Sequence, residues 1–374
     1  MLFRSSIKFN IFNKCKTHFF GNVSFLFAYV KNFSYVCSMK NKVNITAHSL
    51  SPQGDELITV LATFPRIILA EINTHRMLSK NTSSSRAIPF KKMVESVQNN
   101  PFIPIAWQKE HTGMQGYEYF NVEESKINRQ IWLEARDAAV ENAQQIHNYE
   151  ITKQLANRLL EPFMWTTMLI TGSREGWDNF FNLRCPQYKI HQGTYKSKKE
   201  ALKYGLSNGE LKNWSDLDWL QNNEGHAEIH IMDLAEKIYD AVNESTPKQL
   251  KADQWHIPMI SDLESLKLST DDQIKLSVGR AANTSYTVVG DGKELTLEQA
   301  IKIHNKCKEL NHSSVFEHCA RVMDDKEYNS FIKGKTSYHT EEYFNMATKD
   351  VKGWCNNLKG FIPYRYFIDN SIEL

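Results

Sequence analysis

The chain has 374 residues, of which 41% are hydrophobic and 24% are charged, and its net charge is +2. This composition is typical of a globular protein with one large domain or two modest ones. The near-neutral charge argues against a strong general attraction to nucleic acid or to an anionic membrane, and six scattered cysteines without a C-x-x-C pair argue against a disulfide framework or a zinc ribbon.

The N-terminal segment 1–40 has a different composition from the rest of the chain. No Asp or Glu precedes Asp55, whereas Phe, Ser and Lys are frequent. This pattern is typical of an organelle targeting leader, and the alternative is that Met39 is the true start. We therefore expect a cytoplasmic protein, or an organellar one (mitochondrion or plastid) if residues 1–38 are a transit peptide. The apolar run 25–30 is too short to span a bilayer.

Hydrophobic patterning predicts the elements of the first half of the chain. Residues 42–47 read as a strand, and residues 57–72 read as one or two elements, strand or kinked helix, interrupted at Pro65. Apolar residues at three- and four-residue spacing predict a helix over 124–156, which continues as helix through 151–171. A further helix over 176–183 should bury Trp177, Phe180, Phe181 and Leu183.

The second half begins with a polar, aperiodic stretch at 186–222, which we interpret as an insertion or excursion loop within 186–225. An amphipathic helix follows over 226–242, then a link over 245–270, then helices over 273–283 and 295–310, and a strand after Phe316. Strands near both ends with helices between them predict an α+β fold: an antiparallel sheet flanked by helices, with the two ends of a single domain (41–374) meeting in one sheet.

The stretch THRMLSKNTSSSR, residues 74–86, is the first candidate site. It combines His75, Arg76 and Arg86 with a dense run of hydroxyls. Guanidinium groups match phosphate geometry, and serine hydroxyls with loop N–H groups complete an anion cradle. The alternative is an ordinary solvated loop.

Two further constellations are weaker when each is taken alone. Asn179 and Arg184 project about 140° apart on a helix, so they could contact different parts of one ligand, although Arg184 could equally be a cation that stabilises a helix C-terminus. The segment 312–318, HSSVFEH, crowds His312, Ser314 and His318 into one turn. Its alternative is a capped turn with a satisfied histidine.

Two patterns suggest other chemistry. His226 and His230, four residues apart, could share a helix face as a zinc pair, but no H-E-x-x-H motif and no third ligand accompany them. Cys185 lies beside the cation Arg184, which could lower its pKa, but no catalytic histidine is assignable to it.

Taken together, the motifs resemble the flavin-dependent thymidylate synthases, the ThyX family. The segment 74–86 resembles the family's R-H-R…S…N-E-x-S-x-R. Residues Arg158, Pro162 and 179–184 resemble its A-R…L-P and N-F-L-x-L-R, and Glu228-Ile229 resembles the E-I that follows. Residues 279–286 resemble R-A-A-R-x-S-Y, and residues 312–318 resemble H-x-S/T-P-F-E-H.

The order of these blocks departs from the family. The last two blocks precede R-H-R in the family and follow everything else here, so the chain resembles a circular permutant. Permutation is tolerated when the original termini lie close together. It predicts that the strand after Phe316, or the terminal aromatic segment, packs beside 57–72. Thr74 replaces the first Arg, Thr82 replaces the Glu, and Glu71 aligns with a Gln.

The resemblance implies reductive methylation of dUMP to dTMP, with methylenetetrahydrofolate and NADPH as co-substrates and FAD as cofactor, in a homotetramer with shared sites. It implies catalytic roles for Arg184 and His75, with Arg184 also contacting the uracil. The implied FAD-binding residues are His75, Arg76, Asn179, Ser285, His312 and Ser314, with weaker contacts from Thr74 and Thr82. The implied nucleotide-binding residues are Glu71, Ser84, Ser85, Arg86 and Arg158.

Three alternatives stay open. The same scaffold could modify another pyrimidine nucleotide, given Thr74 and Glu71. A zinc-dependent hydrolase could use His226 and His230. The chain could also be a catalytically inactive, nucleotide-binding descendant.

Overall fold

A computed structural model of the chain describes residues 40–113, 116–191, 193–204, 211–285, 294–331 and 356–373. The leader predicted over 1–40 lies outside these residues, apart from Lys40. None of the described helices combines the length and the apolar content that crossing a membrane requires.

The strands, in chain order, are β1 (Lys42–Leu50), β2 (Glu56–Pro65), β3 (Ser79–Thr82), β4 (Trp165–Ser173), β5 (Tyr188–Ile190), β6 (Gly193–Tyr195), β7 (Lys248–Gln249), β8 (Trp255–His256), β9 (Ala320–Val322) and β10 (Phe361–Pro363). The helices are α1 (Leu69–Asn73), α2 (Phe90–Asn99), α3 (Val122–Asn148), α4 (Lys153–Ala156), α5 (Arg174–Arg184), α6 (Lys198–Tyr204), α7 (Asp216–Gln221), α8 (Ile229–Glu244), α9 (Asp262–Lys267), α10 (Thr270–Thr284), α11 (Leu297–Glu309), α12 (Asp325–Phe331) and α13 (Tyr364–Asp369). Short 3₁₀ turns occupy Arg66–Ile68, Asn157–Phe163, Ser313–Glu317 and Asn356–Leu358.

Five strands form the main sheet in the order β3-β4-β2-β1-β7. All neighbouring pairs are antiparallel except β1 and β7, which are parallel. The predicted α+β class with an antiparallel sheet flanked by helices is therefore confirmed. The predicted strand at 42–47 is also confirmed, and 57–72 divides at Pro65 into β2 and α1, because proline favours extended backbone and cannot donate to the ladder.

The prediction of helix through 151–171 is wrong in its second half, which is β4. Its sequence, WTTMLITGS, is buried along almost its whole length, so it lacks the polar alternation of a half-exposed strand. The β-branched threonines and isoleucine favour the extended form once both faces are covered. Because β4 lies between β2 and β3, this error left an interior strand out of the predicted sheet.

The main core lies on one face of the sheet. Alternate β2 residues Ile58, Val60, Ala62 and Phe64 pack there with apolar residues of α5 and α8. Trp177, Phe180 and Phe181 of α5 are buried as predicted, but Leu183 is 57% exposed, contrary to the prediction. Ile229, Met232, Leu234 and Ile238 of α8 are also buried.

The two ends of the chain do not meet in one sheet, so that expectation is wrong. The strands β10-β9-β8 form a separate antiparallel sheet, and 245–270 is more than a link because it contains β7, β8 and α9. Side chains nevertheless join the two regions, since Leu57 shares a core cluster with Val322 and Phe361. The expected packing of the late strands beside 57–72 therefore occurs at Leu57.

The segment 186–225 is folded instead of forming an excursion loop. Its described residues form the hairpin β5–β6 and the helices α6 and α7, around a small core that includes Tyr188, Ala201 and Trp219. Aromatic residues far apart in the sequence supply this core, so no local periodicity in the sequence predicted it. We call residues 186–225 the insertion.

Candidate functional site

His75 and Arg184 are in direct contact although 109 positions separate them. Nε of Arg184, the last residue of α5, donates to Nε2 of His75 at 2.9 Å. Nη1 of Arg184 lies 3.6 Å from Oε2 of Glu71 on α1. The guanidinium is therefore held between an imidazole and a carboxylate. We call Glu71, His75 and Arg184 the arginine cluster.

The hydrogen bond from Arg184 fixes the protonation state of His75. Because Arg184 always donates, Nε2 of His75 must accept and the ring proton must lie on Nδ1. Burial, together with the cations Arg184 and Lys80, lowers the pKa of His75 to about 4. The ring also packs edge-on against Phe180, with centroids 4.9 Å apart. His75 is thus a neutral, immobilised imidazole near neutral pH.

Lys80 completes the turn that carries His75. Its Nζ donates to the carbonyl oxygens of Ile72 and Asn73, both at 3.4 Å, and to the carbonyl oxygen of His75. A cation at the C-terminal end of a helix satisfies carbonyl groups that lack intrahelical partners. Lys80 therefore links β3 to the end of α1 and fixes the backbone of His75.

Glycines allow this turn to lie directly against the sheet and α5. A Cβ at Gly172 of β4 would lie 2.4 Å from Cδ2 of Leu78, and a Cβ at Gly176 of α5 would lie 2.8 Å from the carbonyl oxygen of Met77. Both distances are below any normal contact, so side chains there would push the His75 turn away from α5. The glycines thereby permit the contact between His75 and Arg184.

A second acid approaches the arginine cluster from α8. Glu228 caps that helix by accepting from the backbone N–H groups of His230, at 2.8 Å, and Ile231, at 3.2 Å. Burial and the Glu228 carboxylate raise the pKa of Glu71, while Arg184 opposes the rise. The cluster therefore contains a carboxyl with increased proton affinity beside a fixed cation.

Three segments that are far apart in the sequence meet at a cleft of about 620 Å³. Nδ2 of Asn81 donates to the carbonyl oxygen of Ala281 at 2.5 Å, and the backbone N–H of Ser84 donates to the carbonyl oxygen of Ser285 at 3.0 Å. His312 and Ser314 line the same cleft. We call it the three-segment cleft.

The three-segment cleft combines cations with apolar walls. Arg86 and Lys306 line it, and both are exposed. Ile303, Leu310 and Val315 contribute apolar surface. Such a combination suits a ligand that joins an aromatic ring to phosphate.

Ser85 and Arg158 are used within the chain. Oγ of Ser85, which is 1% exposed, donates to Oε1 of Glu161 at 2.5 Å. Nη1 of Arg158 lies 3.2 Å from the same oxygen, and Nη2 of Arg66 lies 3.3 Å from it. The structure thus gathers Ser85 and Arg158 around the half-buried carboxylate of Glu161, not along the three-segment cleft.

The remaining predicted residues lie elsewhere. Oγ1 of Thr74 donates to the carbonyl oxygen of Glu71 at 2.6 Å, and Arg76 is exposed. Oγ1 of Thr82 donates to the carbonyl oxygen of Thr167 at 3.3 Å. Asn179 lines another cleft, of about 610 Å³, which shares no lining residue with the three-segment cleft. Neither His75 nor Arg184 lines the three-segment cleft either.

The histidine pair proposed for zinc is not on one helix. The helix α8 begins at Ile229, so the expected start at 226 is wrong and His226 precedes the helix. His230 uses both ring nitrogens, Nδ1 with Glu228 and Nε2 accepting from the backbone N–H of Ile105 at 3.1 Å. Among the described residues, no three His, Cys, Asp or Glu side chains are grouped so that they could hold a metal. Burial raises the pKa of Cys185, which keeps its thiol protonated.

Comparison with known proteins gives distant structural neighbours. One is the UMP/dUMP methylase PolB from Streptomyces cacaoi bound with 5-Br UMP, at 15% identity and TM-score 0.39, covering 55% of this chain and 90% of that one. The same enzyme with 5-Br dUMP has 13% identity and TM-score 0.38, covering 55% and 92%. Helicobacter pylori ThyX complexed with FAD and dUMP has 17% identity and TM-score 0.26, covering 50% and 67%. No protein-family model matches the chain, and no curated protein does.

Sequence reasoning missed four residues in or beside the candidate site. These are Lys80, Glu161, Glu228 and Lys306. Glu161 follows Arg158 by three residues, a spacing that brings side chains together on a helical turn, and this signal could have been used. Lys80 and Glu228 lie inside recognised motifs, but their partners are backbone groups that no residue pattern specifies.

Proposed function

We propose that this protein is a flavin-dependent, thymidylate-synthase-like enzyme that methylates dUMP to dTMP with methylenetetrahydrofolate and NADPH. The observation that carries the proposal is the convergence of 81–86, 281–285 and 312–314 on one cleft. Each segment resembles a separate motif of one family, and chance resemblance would not require them to touch.

The three-segment cleft has the chemistry that FAD requires. Ser285, His312 and Ser314 would hold the cofactor with their polar side chains, and Ser84 and Arg86 would hold the nucleotide phosphate. When bound, a flavin supplies hydride transfer and one-carbon transfer. The chain's own residues would bind and orient the flavin and the nucleotide, and would polarise the pyrimidine ring.

Arg184 is the proposed electrophilic group. A fixed guanidinium stabilises negative charge that develops on a pyrimidine ring. His75 positions it, because the neutral imidazole accepts from Nε and leaves the terminal amino groups to turn toward Glu71 or a ligand. The low pKa of His75 means that Arg184 keeps this acceptor throughout the physiological pH range.

The first experiment measures FAD binding and tritium release from carbon-5-labelled dUMP. We expect Arg184→Ala to bind FAD normally and to lose about 10²–10³-fold in turnover, the usual effect of removing one transition-state donor. Lys126→Ala, which alters an exposed cation paired with Glu123, is the control. A wild-type chain that binds no flavin refutes the proposed function, and normal turnover by Arg184→Ala removes Arg184 from the mechanism.

A second candidate, another pyrimidine nucleotide as acceptor, is favoured by Glu71. Its carboxylate lies 3.6 Å from Arg184 and competes with any anionic or carbonyl oxygen there. We expect Glu71→Gln to bind dUMP more tightly, by roughly tenfold, because a neutral amide ends this competition. Parallel titrations with dUMP and UMP measure the effect. Equal affinities for wild type and variant would show that Glu71 does not affect acceptor binding.

The proposal includes a permuted chain and a homotetramer. The contact of Asn81 with Ala281 supports the permutation, because it joins two of the blocks whose order is exchanged. The arginine cluster and the three-segment cleft share no residue within one chain, so the proposal requires that the arginine cluster of one copy meets the cleft of another. Light scattering on the purified protein measures the oligomeric state.

A further inference from the structure

A second cavity lies beside α8, where the insertion covers it. Its volume is about 500 Å³, within the range of small-molecule sites. Pro65 and Trp165 wall it at the ends of β2 and β4, Phe102 adds an aromatic face, and Leu202 and Leu220 come from the insertion helices α6 and α7. We call it the insertion cavity.

A buried carboxyl lines the insertion cavity and has no direct ion pair with any residue that the structure describes. Glu236 of α8 is 8% exposed. One of its oxygens accepts from the backbone N–H of Lys198 at 2.6 Å, and the other accepts from the hydroxyl of Tyr188 at 3.1 Å. Each oxygen retains a lone pair, so the carboxyl can still accept two parallel N–H donors.

Three of the four lysines that line the cavity are paired with other acids, and the fourth, Lys40, is exposed. Lys237 lies 2.6 Å from Asp233, Lys198 lies 3.5 Å from Asp216, and Lys199 pairs with Glu244. Burial raises the pKa of Glu236 to about 7, although the neighbouring Lys198 opposes the rise. The paired lysines argue against a phosphate ligand.

Two buried polar atoms of cavity-lining residues have no partner. They are Nε1 of Trp165, a donor on a side chain 93% removed from solvent, and Oδ1 of Asn41, an acceptor. Buried polar groups are nearly always hydrogen-bonded. A ligand that offers both an acceptor and a donor would satisfy both atoms.

We propose that the insertion cavity binds a planar nitrogen heterocycle with a 2-amino-4-oxopyrimidine edge, the edge that guanine and pterins share. The exocyclic amino group and the adjacent ring N–H donate to the two oxygens of Glu236, as in other bidentate carboxylate pairs. The flat ring packs against Trp165. An aliphatic amine supplies no acceptor for Trp165.

Equilibrium binding to the full chain tests this with two matched ligand pairs. Guanosine and inosine differ by the 2-amino group, and pterin and lumazine differ by an amino group replaced with oxygen. We expect guanosine or pterin to bind and its partner to bind at least about tenfold more weakly, the effect of losing a hydrogen bond to a carboxylate. Binding of guanosine or of pterin then shows which of these two ring systems the cavity accepts. Pterin is also the ring system of methylenetetrahydrofolate, so pterin binding alone would follow from the proposed function, and the Glu236 variant separates the two.

Variants locate the binding to Glu236. Glu236→Gln should weaken binding about tenfold or more, and Trp165→Phe, which removes the indole N–H but keeps a smaller aromatic ring, should weaken it less. Glu224→Gln, at an exposed carboxylate of the insertion paired with Lys189, should change nothing. Equal binding of inosine or lumazine, unchanged affinity of Glu236→Gln in a folded variant, binding of spermidine alone, or no binding of either amino heterocycle would each overturn the proposal.

Discussion

Lowering the pH below about 6.5 should destabilise the fold steeply, because two histidines are buried in their neutral form. Burial lowers the pKa of His256 and of His318 to about 3. A hydrogen-bonded chain holds both rings: Nδ1 of His318 lies 2.8 Å from Oγ1 of Thr171, and Nε2 of His256 lies 2.8 Å from Oγ1 of Thr59. The two threonine hydroxyls are 2.7 Å apart.

The sign follows from which state binds protons. The unfolded chain binds a proton at each histidine below about pH 6.5, whereas the folded chain does not until about pH 3. Stability is therefore lost as the pH falls through this window. Each histidine contributes about 1.4 kcal/mol per pH unit once its unfolded form is protonated, so two contribute roughly 3 kcal/mol between about pH 6.5 and about pH 5. His48, His75 and His304, whose pKa values are also lowered, add to the loss.

Urea unfolding at constant ionic strength, repeated across this pH range, measures the slope. We expect His256→Asn to be less stable at every pH but to show a slope smaller by about one proton. His147→Asn, at an exposed position on α3, should keep the wild-type slope. A wild-type slope below about 0.5 kcal/mol per pH unit would contradict the reasoning, because it would mean that the buried rings are protonated in the folded state.

Two more predictions concern packing and reactivity. Gly279→Ala should destabilise the fold by about 1–3 kcal/mol, because the new Cβ would lie 2.6 Å from Cβ and 2.7 Å from Cα of Ala300 on the facing helix α11. Thermal unfolding measures this effect. An unchanged midpoint would mean that α10 and α11 separate freely. Alkylation by iodoacetamide near neutral pH should modify the half-buried Cys307 before Cys185, because burial protects the Cys185 thiol and raises its pKa; mass mapping would refute this by finding Cys185 modified first.

The sequence predicted the elements whose burial is one-sided. β1 and α11 each expose one face, so their apolar residues recur at the period of the element. β4 has no exposed face and therefore no period, and it was predicted as helix. The insertion packs Tyr188 against Trp219, with ring centroids 4.9 Å apart across 31 positions, and such a contact leaves no local pattern.

The candidate site, like the fold, was only partly predictable from the sequence. Resemblance to a family selected His75, Arg184, Ser285 and His312 without any knowledge of their contacts. The structure adds that Arg184 donates to His75 and that Ser285 binds the backbone of Ser84. These pairings depend on chain segments 100 or more positions apart in the sequence, and no residue pattern specifies which distant segments will meet.

The threonine hydroxyls on the second face of the main sheet have a mechanical consequence. Thr59 and Thr171 join β2 and β4 to the small sheet through directional bonds to His256 and His318, in place of interchangeable apolar contacts. Apolar surfaces can slide past each other at little cost. A slip of one residue here would instead break all the hydrogen bonds between the two threonines and the two histidines at once. The small sheet is therefore held in one alignment with the main sheet. The turn 312–317, which directly precedes His318, is held in a fixed position relative to the main sheet in the same way.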